Sequence, residues 1–258
     1  MKFVSPLLAA VLAVTLAGCG KPDVKTLLRE SRELSQKGDR ASWEQVRENL
    51  HEVINSGHID PDTEGADRLH SFYVLSLIRT ERPEEALKAA KRAVSRYPEA
   101  FMSNYLLGKV YFDQGRMAAA TPHLEKAWER RPNDRNTIVL LTTAAGRSNY
   151  RRAGEFFAHA ASMPQFANDA RLYNEWGMWL LAQGETARAI RKFNDSCQMD
   201  NADAGTYMNL AVVYDKHLNR PKLARNFYKR FLVAVGQTSP GGRLEARRKT
   251  QERLRELR

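Results

Sequence analysis

The sequence predicts an all-α fold, a solenoid of antiparallel helix pairs, and three observations carry that expectation. A pattern of small and large apolar residues returns about every 34 residues along much of the 258-residue chain, a period that belongs to stacked helical hairpins. In its clearest copy, YLLGKVYFDQGRMAAATPHLEKAWERRP at 105–132, Gly108, Ala120 and Ala127 stand among Tyr, Leu, Phe and Trp, while Gly115 and Pro132 interrupt the helical run. Read as one helix, that stretch would carry Gly115 at a cost of about 1 kcal/mol relative to alanine; read as two, Gly115 is the turn between them. Nothing in the sequence reads as a strand.

In chain order, residues 1–18 read as a signal peptide. One lysine precedes an apolar run from Phe3 to Ala17, broken only by Ser5, Pro6 and Thr15 and too short for a comfortable membrane span. The end of that run, Leu16, Ala17, Gly18 and Cys19, resembles the lipobox of bacterial lipoproteins, which implies acylation of Cys19. Residues 19–23 are then a tether, and the acyl chains hold a folded domain on the membrane without a spanning helix. The alternative is an ordinary signal peptide cut near Ala17 or Gly18, with Cys19 incidental. Gly20 stands where lipoproteins retained in the inner membrane carry aspartate, so the resemblance implies the outer membrane of a bacterial envelope, facing the periplasm. Cys197 has no partner once Cys19 is acylated and reads as a small apolar filler.

Residues 24–57 form a helical hairpin, either a degenerate first repeat or an amino-terminal cap. Leu27, Leu28 and Leu34 precede a break at Gly38 and Asp39, and Trp43, Val46, Leu50, Val53 and Ile54 follow at helical spacing. The polar stretch NSGHIDPDTEG at 55–65 is a loop, and an array of about five repeats occupies 67–238. In 101–134, which also has Leu107 in the pattern, the small residues Gly108, Ala120 and Ala127 let helix A approach helix B, and Tyr111 and Leu124 fill the space beside them. Pro122 is expected within the first turn or so of helix B, where its missing amide hydrogen has no helical partner to lose.

The same positions recur with less fidelity on either side. Residues 67–100 have Ala86, Ala93 and Pro98, with Pro83 opening helix B and Val74 replacing the small residue of helix A. Residues 170–203 have Gly177, Gly184, Ala189 and Phe193; residues 204–238 have Leu210, Ala211, Tyr214, Ala224 and Tyr228, with one extra residue expected in the turn at 219–221. Between them 134–168 is degenerate, its Ala153, Phe157, Ala160 and Pro164 matching after a one-residue slip. Beyond SPGG at 239–242, a basic helix spans 242–258 with a thin stripe of Leu244, Leu254 and Leu257. It reads as a cap for the array or, from seven basic residues against three acidic, as a contact for phosphate or headgroups. Period and positions together resemble tetratricopeptide repeats (TPRs), which implies a right-handed superhelix of these pairs.

No chemistry emerges from the motifs. The six histidines are scattered without metal-ligand spacing, and no phosphate loop, nucleophile elbow or zinc-protease signature is present, so neither an enzyme, a metal site nor a cofactor is expected. A net charge of +11 favours acidic partners or anionic surfaces. Nucleic acid is not expected, because the aromatic residues fall at packing positions and an exported chain does not meet it.

Recognition of a protein remains. In TPR folds helix A lines the concave groove, and transferring those positions selects Arg68, Ser71, Leu75 and Arg79, then Met102, Tyr105, Lys109 and Phe112. Arg171, Asn174 and Met178 follow, and then Met208, Val212 and Lys216. Apolar anchors beside cations suit an acidic and partly apolar segment of an envelope protein. The carboxylate clamp of chaperone-binding TPRs is not reproduced: Lys109 and Asn209 fit single places, but Glu175 departs from it. A lipobox followed by such an array resembles pilotin-type lipoproteins of type IV pilus systems, which implies an anchored scaffold that helps a secretin assemble. The lipoprotein of β-barrel assembly, scaffolds of Flp-type pili or exopolysaccharide export, and regulators of cell-wall synthases look similar on the same motifs.

Overall fold

The computed structural model describes residues 23–199, 202–238 and 244–257. The lipobox at 16–19, the rest of the expected signal peptide and the SPGG break lie outside them. The described residues form thirteen α-helices and no strand. They divide into two compact units, one ending at Glu81 and one beginning at Arg82, so the boundary falls inside the 67–100 repeat, between its two helices.

The first unit contains α1 (Val24–Lys37), α2 (Arg40–Ser56) and α3 (Ala66–Arg79). Asp23 opens α1 by accepting from the Lys25 amide at 3.1 Å, and Asp39 opens α2 by accepting from the Ser42 amide at 2.8 Å. Between them Gly38 takes the left-handed conformation, φ 74°, that ends α1. Trp43, Val46, Leu50 and Ile54 recur three or four residues apart and bury one face of α2, while α3 buries Leu69, Tyr73, Val74 and Leu77. A hydrogen bond of 2.8 Å joins His51 Nδ1 on α2 to the Tyr73 hydroxyl on α3.

The second unit opens with α4 (Pro83–Arg96) and continues as four A–B pairs. These are α5 (Phe101–Asp113) with α6 (Met117–Arg130), α7 (Arg135–Arg147) with α8 (Ala153–Ser162), α9 (Ala170–Ala182) with α10 (Thr186–Cys197), and α11 (Ala204–Val212) with α12 (Pro221–Thr238). A final helix, α13 (Leu244–Glu256), packs on α12. Helix A approaches helix B as closely as the small residues permit. A Cβ on Gly108 would lie 2.6 Å from Leu124 Cγ, and one on Gly177 would lie 2.6 Å from the Phe193 ring. Ala120, Ala127 and Ala189 are fully buried beside these contacts.

The repeat is also written in the backbone. Glu81 (φ 60°), Gly115 (72°), Asn149 (55°), Gly184 (78°) and Asn219 (47°) are all left-handed and follow one another at intervals of thirty-four or thirty-five residues. Each is the residue where helix A gives way to the turn before helix B, a position glycine fills without strain and asparagine tolerates.

Three expectations are corrected. Pro122 is not in the first turn of its helix; it is the sixth residue of α6, where its ring removes an interior hydrogen bond. The helix continues because Ala120, Leu124 and Ala127 on its buried face hold it in place. The extra residue of the 204–238 repeat is not in the turn, since 218–220 is as short as 114–116 and 183–185. It is absorbed upstream, in a π-helical turn at Val213–His217. Leu244 is 65% exposed and takes no part in the buried stripe of α13. There Thr250 is buried, and Leu254 and Leu257 pack against Ala211, Ala224 and Tyr228.

Candidate peptide-binding face

Four helices of the second unit, α5, α7, α9 and α11, are the A members of successive pairs, and α5 packs on α7 and α7 on α9. Polar side chains tie three of them, α7, α9 and α11, across this face. Thr143 of α7 donates to Glu175 Oε2 of α9 at 2.8 Å, and Asn209 Nδ2 of α11 donates to Asn174 Oδ1 of α9 at 2.9 Å. Arg171 sits 3.7 Å from the other Glu175 oxygen. Such bonds set the register of neighbouring helices and leave further acceptor and donor capacity on the two asparagines and on Glu175.

The candidate side chains are distributed along this row. On α5, Tyr105 stacks on Phe101 with ring centroids 5.9 Å apart, and Met102 and Phe112 are half-buried. Burial, with the Asp134 and Asp113 carboxylates nearby, raises the Tyr105 phenol above its ordinary range, so it stays a neutral donor. Lys109 is held by Asp113 through contacts of 2.8 and 3.0 Å, which offsets the charge that was expected to steer an acidic segment. On α9, Met178 is 46% exposed, and on α11 Met208 and Val212 are half-buried. Lys216 is exposed in the π-helical turn, 3.7 Å from Asp215.

Arg68, Leu75 and Arg79 belong to α3 in the first unit. There Leu75 is half-buried, Arg79 lies 6.0 Å over the Trp43 ring, and Arg68 lines a cleft against α1. Ser71 does not line a surface at all: it is buried and its hydroxyl donates to the Asp67 carbonyl at 2.9 Å.

The face also holds residues that the sequence reading passed over. Val139, half-buried, and Thr143, itself buried where it meets Glu175, stand thirty-four residues after Tyr105 and Lys109, so a constant offset would have found them in the degenerate repeat. The Lys109 and Asp113 pair was equally accessible, as a four-residue spacing along one helix.

At the end of the array Asp215 accepts two bonds from Arg253 of α13, at 2.8 and 2.7 Å, and a third from the Tyr228 hydroxyl at 3.0 Å. Those bonds, Arg253 first, hold the Asp215 carboxyl below the usual carboxylate range. Burial, and then the adjacent carboxylate, push the Tyr228 phenol up to about 12. Burial pushes the Cys197 thiol up to about 11, so it is protonated at neutral pH and a poor nucleophile. Among the described residues no group of three or more His, Cys, Asp or Glu could hold a metal ion, and no helix is long and apolar enough to cross a membrane.

Residues 74–135 match the tetratricopeptide repeat family. The fold is a TPR array. Solved structures agree at low identity. YrrB, described as a TPR protein with an unusual peptide-binding site, is 18% identical with a TM-score of 0.59, over 78% of this chain and 97% of its own. A MamA fragment from Desulfovibrio magneticus RS-1 is 16% identical, TM-score 0.57, over 67% of this chain and 97% of its own. The pilF protein of Pseudomonas aeruginosa is 15% identical, TM-score 0.56, over 89% of this chain and 97% of its own. No curated protein matches the chain by sequence.

Proposed function

We propose that the chain is a lipid-anchored TPR scaffold of the bacterial envelope. In this reading the A-helix face of the second unit binds an apolar and acidic segment of a protein partner, and the protein supports assembly in the envelope, of a secretin for pilus biogenesis in the first instance. The observation that carries it is the row of half-exposed Tyr105 and Phe112 on α5, which packs on α7, with Met178 and Val212 on α9 and α11; Thr143, Glu175, Asn174 and Asn209 tie α7, α9 and α11 together. Aromatic anchors on a pre-ordered surface lose little entropy on binding and serve as hot spots. The peptide-binding site named for YrrB supports the same use of this fold. Because Asp113 occupies Lys109, apolar contact contributes more than charge on α5, and Arg171 and Lys216, each exposed and 3.7 Å from a carboxylate, are the more loosely held cations further along the row.

The test is a crosslinking pull-down from membranes with the double variant Tyr105→Ala, Phe112→Ala. Loss of two such anchors weakens binding by about 2 kcal/mol or more, while the fold persists because Gly108, Tyr111 and Ala120 are untouched. Recovery of the same envelope partner in equal amount by both proteins would refute this face as the binding surface. Identification of that partner as a secretin, a barrel-assembly component or a polymer-export component decides the pathway.

A further inference from the structure

The first unit carries a cationic cleft that protein binding by the second unit leaves unused. Lys25, Arg29 and Arg32 recur at four and three residues along α1, so they project from one face, and Arg68 reaches the same place from α3. The cleft between them has a volume of about 380 Å3, with Leu28 and Gly65 in its wall. Glu33 and Glu64 also line it, which leaves four cations against two carboxylates. Among the described residues none of the four cations makes an ion pair, whereas Arg47, Arg82, Lys109, Arg130, Arg152, Lys192 and Arg253 are each held by a carboxylate. All three α1 cations are exposed, and so is Arg68.

The position of this cleft in the chain says what it would meet. α1 begins at Val24, five residues after Cys19, and five residues of extended chain reach no further than roughly 18 Å. From Lys25 to Arg32 the helix rises only about 10 Å. If Cys19 is acylated, as the proposed function holds, the whole stripe stays close to the headgroups. Cations near an anionic leaflet add to the attachment that acyl chains begin. We propose that the face formed by Lys25, Arg29, Arg32 and Arg68 is a docking surface for anionic phospholipid headgroups, which holds the first unit against the membrane to which the chain is tethered. The inference rests on the anchor for its geometry and on the unpaired cations for its chemistry.

The chain from residue 21 to 258, which keeps every described helix and lacks the acyl group, is floated with vesicles of phosphatidylcholine alone or mixed with phosphatidylglycerol. Binding is expected to the mixed vesicles only and to fall with salt. Replacing Lys25, Arg29, Arg32 and Arg68 together by Gln should weaken it by at least about tenfold, since each cation near such a surface is worth severalfold. A second variant corrects for general basicity. Arg225, Lys229 and Arg255 line another basic cleft, between α12 and α13, and their replacement by Gln should leave vesicle binding within about twofold. Equal binding by the first variant and the unaltered chain, or a larger loss in the second, overturns the proposal. So does displacement by inorganic phosphate beyond that by chloride at equal ionic strength, which would make free phosphate the ligand. The anchor is read separately, from the mass of the full-length protein extracted from membranes: acylation of Cys19 without vesicle binding refutes this inference and leaves the anchor standing. Vesicle binding without acylation supports the cationic face and refutes the anchor alone.

Discussion

The contact between Gly108 and Leu124 offers the sharpest test of why the helices pair as they do. A methyl group added at Gly108 would stand 2.6 Å from Leu124 Cγ, 2.8 Å from its Cδ2 and 3.2 Å from its backbone nitrogen. Carbon atoms prefer about 3.5–4.0 Å, so roughly 1 Å of separation must be found. Leu124 is fully buried and cannot swing aside, and its backbone is locked in α6. Overpacking of this kind costs about 1–3 kcal/mol, and alanine returns up to about 1 kcal/mol through its helix propensity, so Gly108→Ala should destabilise by about 1 kcal/mol. Leu124→Ala alone should cost about 2–5 kcal/mol by leaving a cavity. Combined, the new methyl enters the space the leucine vacated, and the double variant should be more stable than the sum of the two losses by about 1 kcal/mol or more. Urea unfolding followed by helical circular dichroism, with midpoint and slope fitted together, measures each corner of the cycle. Gly115→Ala is the reference: its Cβ meets nothing within 4 Å, its cost is left-handed strain alone, and it should be additive with Leu124→Ala. A neutral Gly108→Ala, or strict additivity in the Gly108 cycle, would refute close packing as the reason for that glycine.

Other consequences follow from the same physics. Glu81→Gly should raise the thermal midpoint, because relief of a left-handed non-glycine residue outweighs the added chain entropy by about 0.5–1 kcal/mol; a lowered midpoint would contradict the strain assigned to that turn. Since the folded Asp215 carboxyl titrates below its unfolded value, its contribution to docking α13 is complete above the ordinary Asp pKa of about 3.9 and is lost as pH falls through the lower folded value. Hydrogen exchange should therefore show α13 amides equally protected at neutral and mildly acidic pH, and Asp215→Asn should weaken that protection at both. Unchanged protection in the variant would show that Leu254 and Leu257 suffice to dock the helix. Cys19→Ala should move the protein from membrane pellets to the soluble periplasmic fraction in high salt; continued sedimentation with membranes under that condition would refute acyl anchoring.

What could be read from the sequence was whatever obeys a local period. Leu107, Gly108, Ala120 and Leu124 imply a close hairpin because their sizes recur at helical spacing, and the 34-residue interval implies that such hairpins stack. Whether any side chain on the resulting face is free to bind was much less legible. Lys109 looked like an open cation, yet Asp113 holds it, and Ser71 looked like a lining residue, yet it is turned inward onto its own helix.

By itself, then, the sequence determined the helices, their pairing and the small residues that make pairing close, because backbone geometry imposes those periods on any chain that forms them. Only the tertiary structure decided that Asn209 meets Asn174, that Thr143 meets Glu175, that Arg68 joins the cations of α1, and that Arg253 closes on Asp215. Each of those meetings spans separate helices and depends on their relative rotation and register. The π-helical turn at Val213–His217 shows how sensitive that is: one residue absorbed inside a helix instead of in a turn shifts the angular position of everything after it. Asp215 lies inside that turn, and no repeat period carries the displacement.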